Sequence, residues 1–256
     1  DRAALALIKD AQDKVYTKSG KTLDILANVG LPEDAEQALK LGADGIGLLR
    51  SELCFLKCST FPNEKAHFDT YSEILNKFPN KTHTLRLLDF GTDKKVSYLP
   101  DLNEENPALG QRALRLGFSH YDKLLKPQIR AFLKISKKYK IPVVEDACQS
   151  ILGAIDKKKA GTWGEFGAFS LHPLKNINVW SDGGIITTSN KKHYEQLLLL
   201  RNHGLIDRDT VKICGYNSRL DTFQAVVGNW LLPSANSIAN QRIKNAEYFD
   251  KQLKEI

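Results

Sequence analysis

Apolar, β-prone runs alternate with segments of helical period along most of the chain, and this alternation restricts the fold more than any other feature. "TLDILANVG" (22–30) is followed by "LPEDAEQALKLGA" (31–43) and then by "DGIGLLR" (44–50). A second helical segment, "EKAHFDTYSEILNKF" (64–78), precedes a second strand, "THTLRLLDF" (82–90). Strands joined through helices pair in parallel, because the crossover returns the chain to the same end of the sheet. The expected class is α/β, with functional side chains at the C-terminal ends of strands. Pro32, Glu33 and Asp34 suit a helix's first turn and Gly42 its stop.

At 256 residues the chain has room for one large α/β domain or two smaller ones. No apolar run reaches the roughly 20 residues of a membrane span, and the N-terminus lacks the order of a signal peptide. Four scattered cysteines do not make a disulfide framework, so a reducing compartment is expected and the chain reads as cytoplasmic. Cys54 and Cys58 have no zinc-like companions and read as structural; no metal is expected. The net charge of +7 divides unevenly, +1 over residues 1–133 and +6 over 134–256. The basic groups of the second half lack interleaved aromatics, so nucleic-acid binding is not expected and an anionic small ligand is the alternative to solvated faces. The chain starts at Asp1 and contains no methionine; it reads as a fragment.

Arg50 and Arg86 fall at the ends of two predicted strands. Taken singly, each is better explained as an ion pair bracing a loop. Together with Asn28 and Lys94 on one rim they form a cationic clamp, because guanidinium groups bind phosphate and carboxylate in bidentate fashion. "LANVGLPEDAEQALKLGADGIGLLRSELCFL", "TLRLLDFGTDKKVSYLP" and "NEENPALGQRALRLG" resemble the C-terminal βα barrel of phosphoenolpyruvate-utilising enzymes, chiefly enzyme I of the sugar phosphotransferase system. The resemblance implies a partial TIM-type barrel over residues 1–133. It also implies phosphoenolpyruvate contacts from Arg50, Arg86 and Lys94, with Asn28 and Arg112 nearby. The family's magnesium carboxylates and its phosphorylated histidine have no counterpart here, so a Mg site with phosphoenolpyruvate belongs to the parent family only.

In the second half, "GAFS" (167–170) and "GGIITTS" (183–189) read as strands, which places Lys175 in a loop at a sheet edge. An exposed lysine is the commoner case. A partly desolvated one presents the free amine that carbonyl chemistry needs. "IPVVEDACQS" (141–150) reads as a short buried strand ending at Asp146, a residue that either caps the next segment or serves as a partner for that chemistry.

The string from "IPVVEDACQS" through "FSLHPLKNINVWSDGG", with "LLRNHG" and "GYNSRLDTFQAVVGNWLL", resembles the DegT family of aminotransferases, which use pyridoxal phosphate on nucleotide-linked keto sugars. It implies part of a fold-type-I large domain over residues 134–256. Lys175 then corresponds to the Schiff-base lysine, Asp146 to the partner of the pyridine nitrogen and Ser170 to a phosphate ligand. Gln149 lies by the ring, and Asn217 reaches the cofactor of the other subunit, which implies a homodimer.

The two resemblances meet near "AFLKIS" (131–136), within one amphipathic helix and without a Pro, Gly or Ser linker. The family's upstream phosphate turn and ring-stacking aromatic are replaced by the phosphoenolpyruvate-type half, so the chain reads as a chimera of two incomplete parts. The leading expectation is an aminotransferase, with a nucleotide sugar and an amino donor as partners. The alternatives are a phosphoenolpyruvate-binding phosphotransferase fragment and a catalytically silent fusion.

Overall fold

The structure, a computed structural model, describes residues 14–89, 96–99, 106 and 110–253. The chain forms two compact units, Asp1–Ile141 and Pro142–Ile256.

In the first unit, β1 (Val15–Tyr16) and β2 (Thr22–Leu23) pair antiparallel. β3 (Leu26–Val29), β4 (Gly45–Arg50) and β5 (His83–Arg86) form a parallel sheet in that order. The continuous run expected over 22–30 is thus two short strands, and its second part enters the sheet. α1 (Pro32–Lys40) links β3 to β4. Pro32 occupies its first turn, and the Asp34 carboxylate accepts hydrogen bonds from the Gly30 and Leu31 amides at 3.1 and 3.0 Å. That satisfies two backbone donors exposed at the helix start. Gly42, at φ +84°, ends the segment in the left-handed region that glycine adopts without strain.

α2 (Glu52–Leu56) follows β4, and α3 (Glu64–Asn76) leads toward β5. Asn63 caps α3 by accepting from the Ala66 amide at 2.9 Å. α4 (Ala113–Ser119) and α5 (Leu125–Tyr139) complete the unit. α5 buries Leu125, Gln128, Ala131 and Ile135 on one face and keeps its lysines exposed. Its apolar face meets Tyr71, Ile74, Leu75 and Phe78 beside Val29, Ile46 and Leu49 of the sheet. The described strands of this unit make one three-stranded parallel sheet and one small hairpin, an α/β arrangement in which the strands' C-terminal ends share an edge.

The second unit carries β6 (Val144–Asp146), a tight hairpin of β7 (Ala154–Ile155) and β8 (Lys158–Lys159), then β9 (Phe166–Ser170) and β10 (Gly184–Thr187). β9 is central, parallel to β6 and antiparallel to β10. The sequence "IPVVEDACQS" reads as a buried strand, but Val144 is 61% exposed. β6 is the edge of a three-stranded sheet, so one of its faces stays open among the described residues.

α6 (Lys191–Leu200), α7 (Thr222–Leu231), a single 3₁₀ turn (Leu232–Ser234) and α8 (Ala235–Gln252) follow. The core here is small: Leu171, Ile177, Val179 and Ala235, with Ile151, Leu220, Leu231 and Ile238 packed around it. Among the described residues no helix is long and apolar enough to cross a membrane.

Candidate functional site

The Lys175 loop runs from the end of β9 to the start of β10. Leu171 and Val179 pin it: the Leu171 amide donates to Gly183 O at 2.8 Å, the Val179 amide donates to Leu171 O at 3.1 Å, and both side chains are buried. Between them, "HPLK" closes a turn in which the Lys175 amide donates to His172 O at 2.8 Å. Pro173 sits at the second turn position, where its fixed φ is favoured. His172 Nδ1 accepts from the Leu174 amide at 3.1 Å, which holds the turn a second time. Sequence-local turn chemistry and two buried anchors therefore place Lys175, which is half-buried.

Lys175 lines a cleft of about 110 Å³ together with Cys148, Gln149, Ser170, Asn176 and Arg242; Ile151, Phe169 and Leu174 form its apolar wall. Ser170 Oγ accepts from the His172 amide at 3.3 Å, so its proton remains available for donation to an anion. Asp146 ends β6 in register with Ala168, two residues before Ser170, because β6 and β9 are parallel. Its Oδ1 accepts from the Cys148 amide at 3.2 Å. The Asp146 carboxylate, followed by burial, pushes the Cys148 thiol up, against a weaker opposing pull from Lys175.

Glu145, one residue earlier, accepts from the amides of Gly161, Trp163 and Gly164 and so ties β6 to the loop before β9. Asp146 and Asn217 do not line the cleft; Asn217 is exposed and bridges Asn202. Arg242 does line it, although it lies in an ordinary polar helical run, "ANQRIKN", with no motif to single it out. Only the packing of α8 through Ala235 and Ile238 brings it there.

In the first unit, Asn28, Arg50 and Arg86 lie at the C-terminal ends of three adjacent parallel strands, with Arg50 in register with Arg86. They share one sheet edge. Arg86 is already engaged: its guanidinium donates to Glu52 Oε1 at 2.7 Å and lies 3.4 Å from Asp89, which Arg112 also meets at 3.3 Å. Lys94 lies outside the described residues. Cys54 and Cys58 donate to the carbonyls of Gly30 and Cys54, both at 3.2 Å, and burial pushes the Cys54 thiol up to about 12. Among the described residues no group of three or more His, Cys, Asp or Glu side chains is placed to hold a metal ion.

Each unit is thus an α/β arrangement that gathers cationic side chains, Arg50 and Arg86 at strand ends in the first and Lys175 and Arg242 around a cleft in the second. The chain belongs to two families. The PEP-utilising enzyme, PEP-binding domain family matches over residues 5–150, and the DegT/DnrJ/EryC1/StrS aminotransferase family matches over residues 125–256. The matches overlap across α5 and β6.

A phosphoenolpyruvate-protein phosphotransferase of Latilactobacillus sakei is 36% identical over 132 residues, covering 52% of this chain and 23% of that protein. A DegT DnrJ EryC1 StrS aminotransferase from Brucella abortus is 29% identical, covering 49% of this chain and 34% of that one, with a TM-score of 0.44. A protein assigned as a PLP-dependent aminotransferase from Bacillus cereus ATCC 10987 gives a TM-score of 0.50 at 15% identity, over 99% of this chain and 57% of that one. That last likeness concerns the fold alone. The chain spans about a quarter of the length of the curated relatives it matches.

Proposed function

We propose that the second unit carries the cofactor half of a pyridoxal-phosphate-dependent aminotransferase site, with a nucleotide-linked keto sugar as the substrate class. The observation that supports this reading is the gathering of Lys175, Ser170 and Gln149 around one cleft at the strand end where Asp146 also lies. An amine, a hydroxyl with a free proton and a carboxylate one strand away suit a group that has a carbonyl, a phosphate and a ring nitrogen. When bound, pyridoxal phosphate supplies an electron-withdrawing ring and a carbonyl that reacts with amines.

The chain's own residues have separate tasks. Lys175 presents the amine, Ser170 Oγ donates to the phosphate, and Asp146 holds a proton at the ring nitrogen. The Asp146 carboxylate, oriented by the Cys148 amide, stabilises that proton by charge. The turn from His172 to Lys175 limits where the amine can move. Asn217, which does not line this cleft, is assigned to the cofactor of a second subunit in a homodimer, and the protein is assigned to the cytoplasm.

The experiment is addition of pyridoxal phosphate, reduction with borohydride and mapping of the modified lysines by mass spectrometry. Lys175 is expected to carry the label well above the other lysines, and Lys175→Ala to remove that site without raising the others. Uniform labelling across surface lysines would refute the reading.

A second reading concerns the first unit, where Asn28, Arg50 and Arg86 share one edge of the parallel sheet. It is read as part of a βα barrel whose rim binds phosphoenolpyruvate without phosphoryl transfer, with Lys94 as a further contact. A Mg ion, where the parent family uses one with phosphoenolpyruvate, would need carboxylates from outside this segment. Arg50, which has no ion pair among those described, is the freer guanidinium. Calorimetry with phosphoenolpyruvate is expected to show a loss of about 1.5–3 kcal/mol in Arg50→Ala, the usual value of a charged hydrogen bond. Equal affinity in the variant would remove Arg50 from the site.

A further inference from the structure

Ser170 and Lys175 line the cleft from one loop, and His172 between them bonds to both. Its amide donates to Ser170 Oγ at 3.3 Å, and its carbonyl accepts from the Lys175 amide at 2.8 Å. These are backbone groups, and almost any residue at this position would supply them. The third bond needs the imidazole, whose Nδ1 accepts from the Leu174 amide at 3.1 Å. Nothing in the reading above gives that ring a task.

An accepting Nδ1 keeps its lone pair, so the proton of the neutral ring is on Nε2. Nε2 lies 3.9 Å from Asp182 Oδ1, beyond hydrogen-bond reach, and the Asp182 side chain is 93% exposed and solvated. The two sides of the ring are therefore unequal, and Nδ1 carries the contact. Its geometry is that of an Asx turn, in which a side-chain acceptor bonds the amide two residues on. Asp146, Asn190 and Asp221 do the same elsewhere in this unit, to the amides of Cys148, Lys192 and Phe223. Packing does not replace the bond, because Leu171 and Ile177 are buried on either side of the turn while Pro173 and Leu174 at its apex are exposed. Without Nδ1 the Leu174 amide has only water, and the turn keeps the single bond from the Lys175 amide.

We infer that His172 is a positioning residue, whose imidazole fixes through Nδ1 the turn that presents the Lys175 amine to the cleft beside Ser170. The inference deepens the pyridoxal-phosphate reading, on which only the labelling arm of its test rests.

The test compares the full chain with His172→Ala, His172→Asn, His172→Gln and Asp182→Asn. An asparagine oxygen stands where Nδ1 stands, and a glutamine amide reaches the position of Nε2, so the pair separates the two sides of the ring. In the first arm, hydrogen exchange of the Leu174 amide is read by NMR without cofactor. It is expected to accelerate about fivefold in His172→Ala and His172→Gln, and to stay within about twofold of the parent in His172→Asn and Asp182→Asn. In the second arm, the initial rate of Lys175 labelling by pyridoxal phosphate and borohydride is measured, with the other lysines of the chain as internal reference. A fall of about fivefold is expected in His172→Ala and His172→Gln, with recovery in His172→Asn and no change at the other lysines.

Unchanged Leu174 exchange in His172→Ala would overturn the inference. So would rescue by glutamine instead of asparagine, or a loss in Asp182→Asn equal to that in His172→Ala. Exchange in the expected order with equal Lys175 labelling in all five proteins would make the bond a local one and overturn its link to the amine. Exchange in the expected order with no labelling of Lys175 in the parent chain would support the fixing of the turn and sink the cofactor reading, so the two failures are distinct. The His172 side chain is 45% exposed, and matching circular dichroism of parent and variants verifies that the fold survives.

Discussion

Lowering the pH from 7.5 to 4.5 is expected to remove most of about 3 kcal/mol of stability from the first unit, through the single side chain of His67. The residue is 1% exposed, its ring tilted against Phe55 at 4.8 Å and stacked on Tyr71 at 5.5 Å. Burial pushes its pKa down to about 4 from the usual 6.5. The hydrogen-bond chain around it also favours the neutral form. Gln128 accepts from the Leu88 amide at 3.0 Å and donates to Tyr71 Oη at 3.1 Å; the Tyr71 hydroxyl then donates to His67 Nδ1 at 3.0 Å. With Nδ1 accepting, the neutral ring carries its proton on Nε2, and the second proton of the charged form would have to enter at Nδ1, where it meets the proton that Tyr71 donates.

The folded protein therefore binds fewer protons at His67 than the unfolded chain. Its contribution is complete above pH 6.5 and is lost as the pH falls from 6.5 through 4. A displacement of 2.5 pH units corresponds to about 3 kcal/mol. Urea unfolding followed by far-ultraviolet circular dichroism at the two pH values tests this. Trp163, Trp180 and Trp230 all lie in the second unit, so their fluorescence follows that unit separately. His67→Gln retains an acceptor for Tyr71 and is expected to be less stable at pH 7.5 but to lose about 2.5 kcal/mol less than the parent chain between pH 7.5 and 4.5. The same pH dependence in both proteins would assign the acid sensitivity to other groups.

Arg86→Ala is expected to destabilise the first unit by about 2–4 kcal/mol, somewhat under the usual cost of leaving one buried charge of a pair alone. The Glu52 side chain is only 6% exposed, and its Oε2 has no hydrogen-bond partner. The 2.7 Å bond from Arg86 to Oε1 is the charge compensation that the structure provides. The Arg86 side chain is 45% exposed, and water entering the space left by its removal reduces the cost. Asp89 loses one guanidinium and keeps Arg112.

The double variant Glu52→Gln/Arg86→Ala is expected to recover at least half of the loss, because the amide needs no counter-charge. Urea midpoints that coincide for Arg86→Ala and the parent chain would show that Glu52 is adequately solvated without its partner. The same geometry bears on ligand binding. A phosphoenolpyruvate carboxylate or phosphate reaching Arg86 competes with Glu52 and Asp89, whereas Arg50 forms no ion pair among the described residues.

Much of the local structure was legible because it depends on short-range chemistry. Pro32, Glu33 and Asp34 start a helix, Gly42 stops one, and the glycine-flanked runs on either side of Lys175 form β9 and β10. The parallel pairing of β3, β4 and β5 followed from helices between strands, and with it the shared edge of Asn28, Arg50 and Arg86. The β6 segment was misread as buried, since an apolar run in sequence does not say how many strands will cover it. Part of a βα barrel was expected, and the described strands of the first unit form a three-stranded parallel sheet and a hairpin.

The sequence by itself determined the α/β class, the order of elements and the loop that holds Lys175, because periodicity and turn residues act over a few positions. It also carried both family memberships, and α5 satisfies both readings with one amphipathic pattern. Only the tertiary structure decided which charges meet. Glu52 and Arg86 are 34 residues apart, and Arg242 reaches the Lys175 cleft from a helix 67 residues further along the chain. Such contacts arise from how helices pack on a sheet, and a charge on a polar helix face looks the same in sequence whether it meets solvent, a carboxylate or a cleft.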